Sequence, residues 1–109
     1  MAYELPEKDW KIFREIQRAA LDRFCGRVLD DIEDVRSDVS RTHHERYLTI
    51  YSLLQRRDKR LGEAFDNPRR SQMLWQLELM WSRGLINEEE MSRFSEETRS
   101  YIAFLTTKS

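Results

Sequence analysis

The sequence predicts an all-α fold of four to five helices, in which a long N-terminal helix is followed by a shorter helical bundle. Only three Gly and two Pro occur in 109 residues, whereas all-β domains need many turns and usually contain more of both. Apolar residues also recur every three or four positions, which keeps them on one face of a helix. At this length we expect a single helical domain over residues 1–109, large enough to bury a core.

The first predicted helix extends from Glu7 to about Arg36 and carries the longest apolar stripe of the chain. A helix of roughly 30 residues is about 45 Å long, whereas a compact domain of this length has a radius of gyration of about 13 Å. We therefore expect either a break at Gly26 or a second copy that covers part of the stripe, and we favour a homodimer. The candidate dimer or core seam consists of Trp10, Phe13, Ile16, Ala20, Phe24, Val28 and Ile32.

Capping signals predict where the remaining helices begin and end. Residues 42–45 (Thr-His-His-Glu) match a capping box, which starts the second helix. Residues 67–68 (Asn-Pro) suit the N-cap and first position of the third helix, and Gly84 suits its C-terminal stop. A second cap signature over residues 87–90 starts a short fourth helix, and Ser95 is a candidate cap for the last one.

Composition and charge narrow the class of protein. The net charge of −1 and the pI near 6.1 give no global electrostatic attraction to nucleic acid or anionic membranes. No apolar run approaches the length of a membrane span, and the first ten residues lack the pattern of a signal peptide, so we expect a cytoplasmic protein. The single cysteine, Cys25, excludes an internal disulfide and a cysteine-rich zinc site, and we expect it to be buried.

The middle of the chain carries the one local excess of positive charge. Residues 40–70 hold eight Lys and Arg against four Asp and Glu. An ordinary solvated face explains such a segment, while an acidic protein partner, a second copy and a nucleic-acid backbone are the alternatives. Because carboxylates interrupt the segment, we favour a protein contact over nucleic acid. The candidate interaction patch consists of Arg56, Arg57, Lys59, Arg60, Arg69 and Arg70.

Acidic residues supply the best candidate for a cation site. Asp30 and Asp34 lie one helical turn apart, and residues 88–90 are three consecutive glutamates. Helical nucleotide pyrophosphohydrolases hold Mg²⁺ with paired carboxylates of this kind, although a solvated face and a helix cap also explain these acids. His43 and His44 point about 100° apart on a helix and cannot bind one metal from one face. We therefore expect no metal, no cofactor and no catalytic residue.

The preferred function is a non-enzymatic interaction module, regulatory or adaptor in kind, that self-associates. Two alternatives stay open. The first is a nucleic-acid-associated regulator that uses the basic segment 56–70, and the second is a small Mg²⁺-dependent nucleotide hydrolase.

Overall fold

The computed structural model describes residues 6–107, which form five α-helices and no β-strand. The predicted all-α fold with a long first helix is therefore confirmed. The absence of a signal peptide was expected partly from residues 1–5, which lie outside the described residues. Within residues 6–107, no helix combines the length and apolarity required to cross a membrane. The helices are α1 (Glu7–Ser37), α2 (His43–Phe65), α3 (Met73–Ser82), α4 (Glu88–Met91) and α5 (Glu96–Thr107).

The first helix is continuous through Gly26, so the break that was one of the two alternatives does not occur. The molecule accommodates a helix of 31 residues because it is elongated, with extents of 55 × 26 × 24 Å and a radius of gyration of 16.9 Å. The expectation of a compact shape was therefore wrong. Without that premise, helix length alone no longer requires a second chain, and the homodimer stays a prediction.

Helices α1 and α2 form an antiparallel hairpin. The turn between them ends at Thr42, whose side chain and that of Glu45 form the predicted capping box. Near the turn, Arg57 donates to Asp31 at 2.6 Å. Farther from it, the rings of Phe24 and Phe65 lie 6.1 Å apart. The residue numbers on α2 rise as those on α1 fall, as an antiparallel pairing requires.

The C-terminal helices pack against the N-terminal half of this hairpin. The carboxylate of Asp9 is fully buried and accepts hydrogen bonds from the Ser95 amide (2.9 Å), the Ser95 hydroxyl (2.6 Å) and the Thr98 hydroxyl (2.6 Å). The Ser95 hydroxyl in turn accepts from the Thr98 amide at 3.3 Å, as predicted for the cap of α5. The first turns of α1 and α5 are thus bound together through one carboxylate.

The predicted seam of α1 lies mostly in the core of a single chain. Phe13, Ile16, Ala20, Phe24 and Val28 are buried, and the first and last seam residues are half-buried at its two ends. Trp10 packs its ring against Phe13, and Ile32 lines a groove described below. Residues contributed by other elements to this core include Leu53, Ala64, Phe65, Met73, Leu77, Met80, Leu85, Ile86, Met91, Phe94 and Ile102.

Gly84 ends α3 as predicted. Its φ of +70° is accessible to glycine at little cost, and its amide donates to the Trp81 carbonyl at 3.0 Å. The following amide, of Leu85, donates to the Met80 carbonyl at 2.8 Å. These two bonds constitute a Schellman motif, which turns Leu85 back into the core.

The predicted start of α3 was wrong. Asn67 has a φ of 48°, in the left-handed region, whereas an N-cap residue adopts an extended conformation. The chain therefore turns at Asn67 and continues extended to Arg69, and a 3-10 turn at Arg70–Gln72 leads into α3. The Asn-Pro pair marks a loop here rather than a helix N-terminus.

Candidate functional site

The far half of the α1–α2 hairpin extends beyond the cover of the other helices. The buried side chains of α1 all lie at or before Val28. The contacts that side chains of α1 make with residues 83–98 involve Asp9, Glu15, Arg23 and Arg27. Beyond these positions the hairpin is a two-helix structure, and its apolar side chains have few neighbours that could bury them.

An apolar groove runs between the two helices of the hairpin. It encloses a cavity of about 240 Å³, whose α1 wall is apolar and whose α2 wall combines Leu54 and Leu61 with the charged residues Arg57 and Asp58. Cys25, predicted to be buried, is half-buried in the α1 wall. On α2, positions 47, 51, 54 and 61 recur at spacings of three, four and seven, so two tyrosines continue the groove wall toward the hairpin turn. We call this surface the groove face: Cys25, Leu29, Ile32, Tyr47, Tyr51, Leu54 and Leu61.

Large side chains of the groove face are unusually exposed for their type. The exposed fraction is 64% for Leu29, 65% for Tyr47, 56% for Tyr51 and 45% for Leu54. With their half-buried neighbours they present on the order of 500 Å² of apolar surface. The largest apolar patch of a monomeric protein is of similar size and is often functional.

The structure does not bring the predicted basic patch together on one surface. Arg56 donates to the hydroxyl of Ser52, one turn earlier, at 3.1 Å, and Lys59 is exposed. Arg69 lines a hollow at the start of α3. Arg70 pairs with Glu7 at 2.7 Å. These four residues therefore have different neighbours. The other two residues of the predicted patch, Arg57 and Arg60, line a separate cavity.

That cavity is an arginine pocket formed by three parts of the chain. Arg57 and Arg60 come from α2, Arg27 comes from α1, and Arg83 comes from the end of α3. The cavity measures about 230 Å³, and its apolar walls are Phe24 and Leu85. Sequence analysis missed two of these four arginines, because each stands in a segment with no other sign of a basic site.

Main-chain carbonyl groups hold two of the guanidinium groups in place. Arg27 donates to the carbonyls of Arg83 (3.2 Å) and Gly84 (2.6 Å). Arg83 donates across the pocket to the carbonyl of Arg60 at 3.1 Å. Because carbonyls carry no net charge, these bonds orient the guanidinium groups without neutralising them, although the carboxylate of Glu63 lies 3.8 Å from Arg83.

The arginine pocket and the groove take exposed side chains from different sides of α1. Arg27 and Leu29 are two positions apart on α1, which places them about 200° apart around the helix. Phe24 and Arg57 contribute to the walls of both cavities, which are therefore neighbours across the α1–α2 contact.

Among the candidate acidic residues, Glu90 makes local interactions, while Asp30, Asp34, Glu88 and Glu89 are exposed. Glu90 caps α4 together with Asn87, and it also pairs with Arg23. The hydrogen bond from Arg23 is the main cause that lowers the pKa of Glu90, against the effect of its partial burial. Asp31, beside the predicted pair at 30 and 34, binds Arg57. In the part of the chain that the structure describes, no three His, Cys, Asp or Glu side chains are grouped to hold a metal ion.

Comparison with known proteins leaves these two surfaces as the basis for inference about function. No protein-family model fits the chain, and no curated protein or solved structure matches it significantly.

Proposed function

We propose that the protein is a non-enzymatic helical interaction module, a regulatory or adaptor subunit of the cytoplasm that self-associates as a homodimer through the groove face. The observation that carries the proposal is the exposed apolar surface on the half of the hairpin that α3–α5 do not cover. Leaving such a surface in water forfeits about 25 cal/mol for each Å² of apolar area.

A second copy of the chain suits this surface in area and architecture. A stable interface buries about 800 Å² on each partner, and about 65% of a homodimer interface is apolar. The requirement is therefore about 500 Å² of apolar surface, which the groove face provides. Two hairpins packed face to face about a two-fold axis also form a four-helix bundle, in which each pair of helices covers the other.

Mass measurement by light scattering or sedimentation equilibrium tests the dimer. At micromolar concentration we expect twice the chain mass of 13.3 kDa. The double substitution Leu29→Glu and Leu54→Glu places two charges in the groove, and both side chains are exposed enough for the chain to fold without them. This variant should have the monomer mass and an unchanged helical circular dichroism spectrum.

Trp75→Glu provides the matched control. Trp75 is half exposed and lies on α3, outside the groove face. The control should remain dimeric. A monomeric wild-type protein, or a dimer that the groove substitutions leave intact, would contradict the proposal.

A further inference from the structure

We propose that the arginine pocket binds the phosphoryl group of a small molecule, an oxyanion that carries at least two negative charges. This inference does not depend on self-association, because it is argued from the arginines of the pocket and not from the exposed apolar side chains of the groove face, although Phe24 and Arg57 line both cavities. Four guanidinium groups from three separate elements converge on one cavity of about 230 Å³.

The first argument is the balance of charge. Two carboxylates face the four arginines: Asp31 lies 2.6 Å from Arg57, and Glu63 lies 3.8 Å from Arg83. Within residues 6–107, the other two arginines of the pocket pair with no carboxylate. The pocket thus has an excess of two positive charges, and a concave site lined by charges of one sign concentrates counter-ions of the opposite sign.

The second argument is the type of cation and the way it is held. A guanidinium group donates two parallel hydrogen bonds to phosphate or carboxylate oxygens, which an ammonium group cannot do. Arg27 and Arg83 are already oriented by carbonyl groups, so a ligand would lose little entropy in ordering them. Such preorganisation is a feature of anion sites and is not required of solvated surface arginines.

The third argument distinguishes a small phosphorylated molecule from a nucleic-acid backbone. A backbone needs cations spread along an extended surface, since each neutralised phosphate adds to the affinity. Here the remaining Lys and Arg residues of α2, namely Arg46, Arg56 and Lys59, do not line the pocket. The apolar walls of the cavity, Phe24 and Leu85, instead suit the carbon skeleton of a phosphate ester.

Calorimetric titration with inorganic pyrophosphate, at constant ionic strength, tests the inference. We expect saturable binding of one pyrophosphate per chain, and weaker binding of inorganic phosphate, which has fewer charges. The double substitution Arg27→Gln and Arg60→Gln removes the two arginines that have no carboxylate partner. It should weaken pyrophosphate binding at least tenfold, since each arginine contributes charge-assisted hydrogen bonds.

Two further variants distinguish a specific anion-binding site from non-specific electrostatic attraction. Arg56→Gln with Lys59→Gln removes the same amount of charge from positions of α2 outside the pocket, and it should leave the affinity within twofold of the wild type. Arg27→Lys with Arg60→Lys keeps the charge but loses the paired donors, and it should bind more weakly than the wild type and more tightly than the glutamine variant. This comparison remains available if the glutamine variant fails to fold.

Three outcomes would overturn the inference. They are the absence of saturable binding at millimolar pyrophosphate, an equal loss in the pocket variant and the charge-matched control, and tighter binding of a short random-sequence duplex DNA that both variants weaken. The last result would assign the basic residues to nucleic acid.

Discussion

Arg23 and Glu90 form a two-pronged ion pair between α1 and α4, with Nη1 donating to Oε1 at 2.8 Å and Nη2 donating to Oε2 at 3.1 Å. The same guanidinium also donates to the Leu85 carbonyl. One side chain of α1 thereby binds both the loop after α3 and the start of α4. The pKa of Arg23 is raised, chiefly by its hydrogen bond to Glu90, and the pKa of Glu90 is lowered by the same bond.

Glu90→Gln should destabilise the protein at neutral pH by about 1 kcal/mol. Glutamine can keep the cap of α4, so the loss isolates the charge of the ion pair, discounted for the partial exposure of Arg23. Because the pKa of Glu90 is lower in the folded state than its ordinary 4.5, the ion pair stabilises the fold above that pH. The stabilisation is lost as pH falls from there through the folded-state pKa.

Thermal unfolding from pH 7 to pH 3 measures this effect. The difference in melting temperature between wild type and Glu90→Gln should be largest at neutral pH and should shrink in acid. Glu89→Gln, an exposed neighbour, is the control and should follow the wild type throughout. A difference that stays constant with pH would assign the loss to packing instead.

Gly26→Ala should stabilise the protein by about 0.5–1 kcal/mol. The residue lies inside a continuous helix, where glycine costs conformational entropy, and a Cβ atom at this position meets no atom within 4 Å. Gly84→Ala is the contrasting substitution. It should destabilise the protein by about 1 kcal/mol because φ is +70° there. Denaturant titration compares the two, and a destabilised Gly26→Ala would indicate that the helix breaks in solution.

Asp9→Ala should be among the most destabilising single changes, at about 3 kcal/mol or more. It leaves the Ser95 amide and the Ser95 and Thr98 hydroxyls without their acceptor in a buried site. Hydrogen exchange should show the loss first in α5. Lys11→Ala removes an exposed side chain from the same turn of α1, on the other side of the helix, and should change stability by less than about 0.5 kcal/mol. Equal effects of the two changes would exclude a special role for Asp9.

Divalent metal ions should leave the stability of the fold unchanged. Among residues 6–107 no group of potential ligands is clustered for a metal, and preferential binding to the folded state would be needed to raise the melting temperature. Melting curves with Mg²⁺, Mn²⁺ or Zn²⁺ at sub-millimolar concentration, and with a chelator, measure this directly. A rise of several degrees with Mg²⁺ would instead favour the nucleotide-hydrolase alternative and direct attention to Asp30 and Asp34.

Features that depend on a few consecutive residues could be predicted from the sequence. The cap at Thr42 and the stop at Gly84 were predicted correctly, because capping satisfies backbone groups within one turn of the residue itself. Asn67 shows the limit of this reasoning. Its side chain suits an N-cap, but asparagine also adopts a left-handed φ readily. In the loop that leads to Arg70, which pairs with Glu7, Asn67 has this left-handed φ.

The arginine pocket could not be predicted, because it depends on how α3 packs against the hairpin. Arg27 and Arg83 are 56 residues apart, and the sequence gives no crossing angle or register for their helices. The basic run on α2 was visible, yet its alternate positions diverge around the helix, so only Arg57 and Arg60 reach the pocket. The density of positive charge along the sequence therefore indicated α2 as a basic helix, but it did not indicate the arginine pocket.

The elongated shape of the chain has a consequence for work in solution. The molecule is about twice as long as it is wide, so it experiences more friction than a sphere of equal mass and diffuses more slowly. A single chain would then leave a sizing column slightly earlier than a globular standard of equal mass. Elution volume alone would therefore overestimate the mass of the particle, and a mass determined independently of shape counts the chains directly.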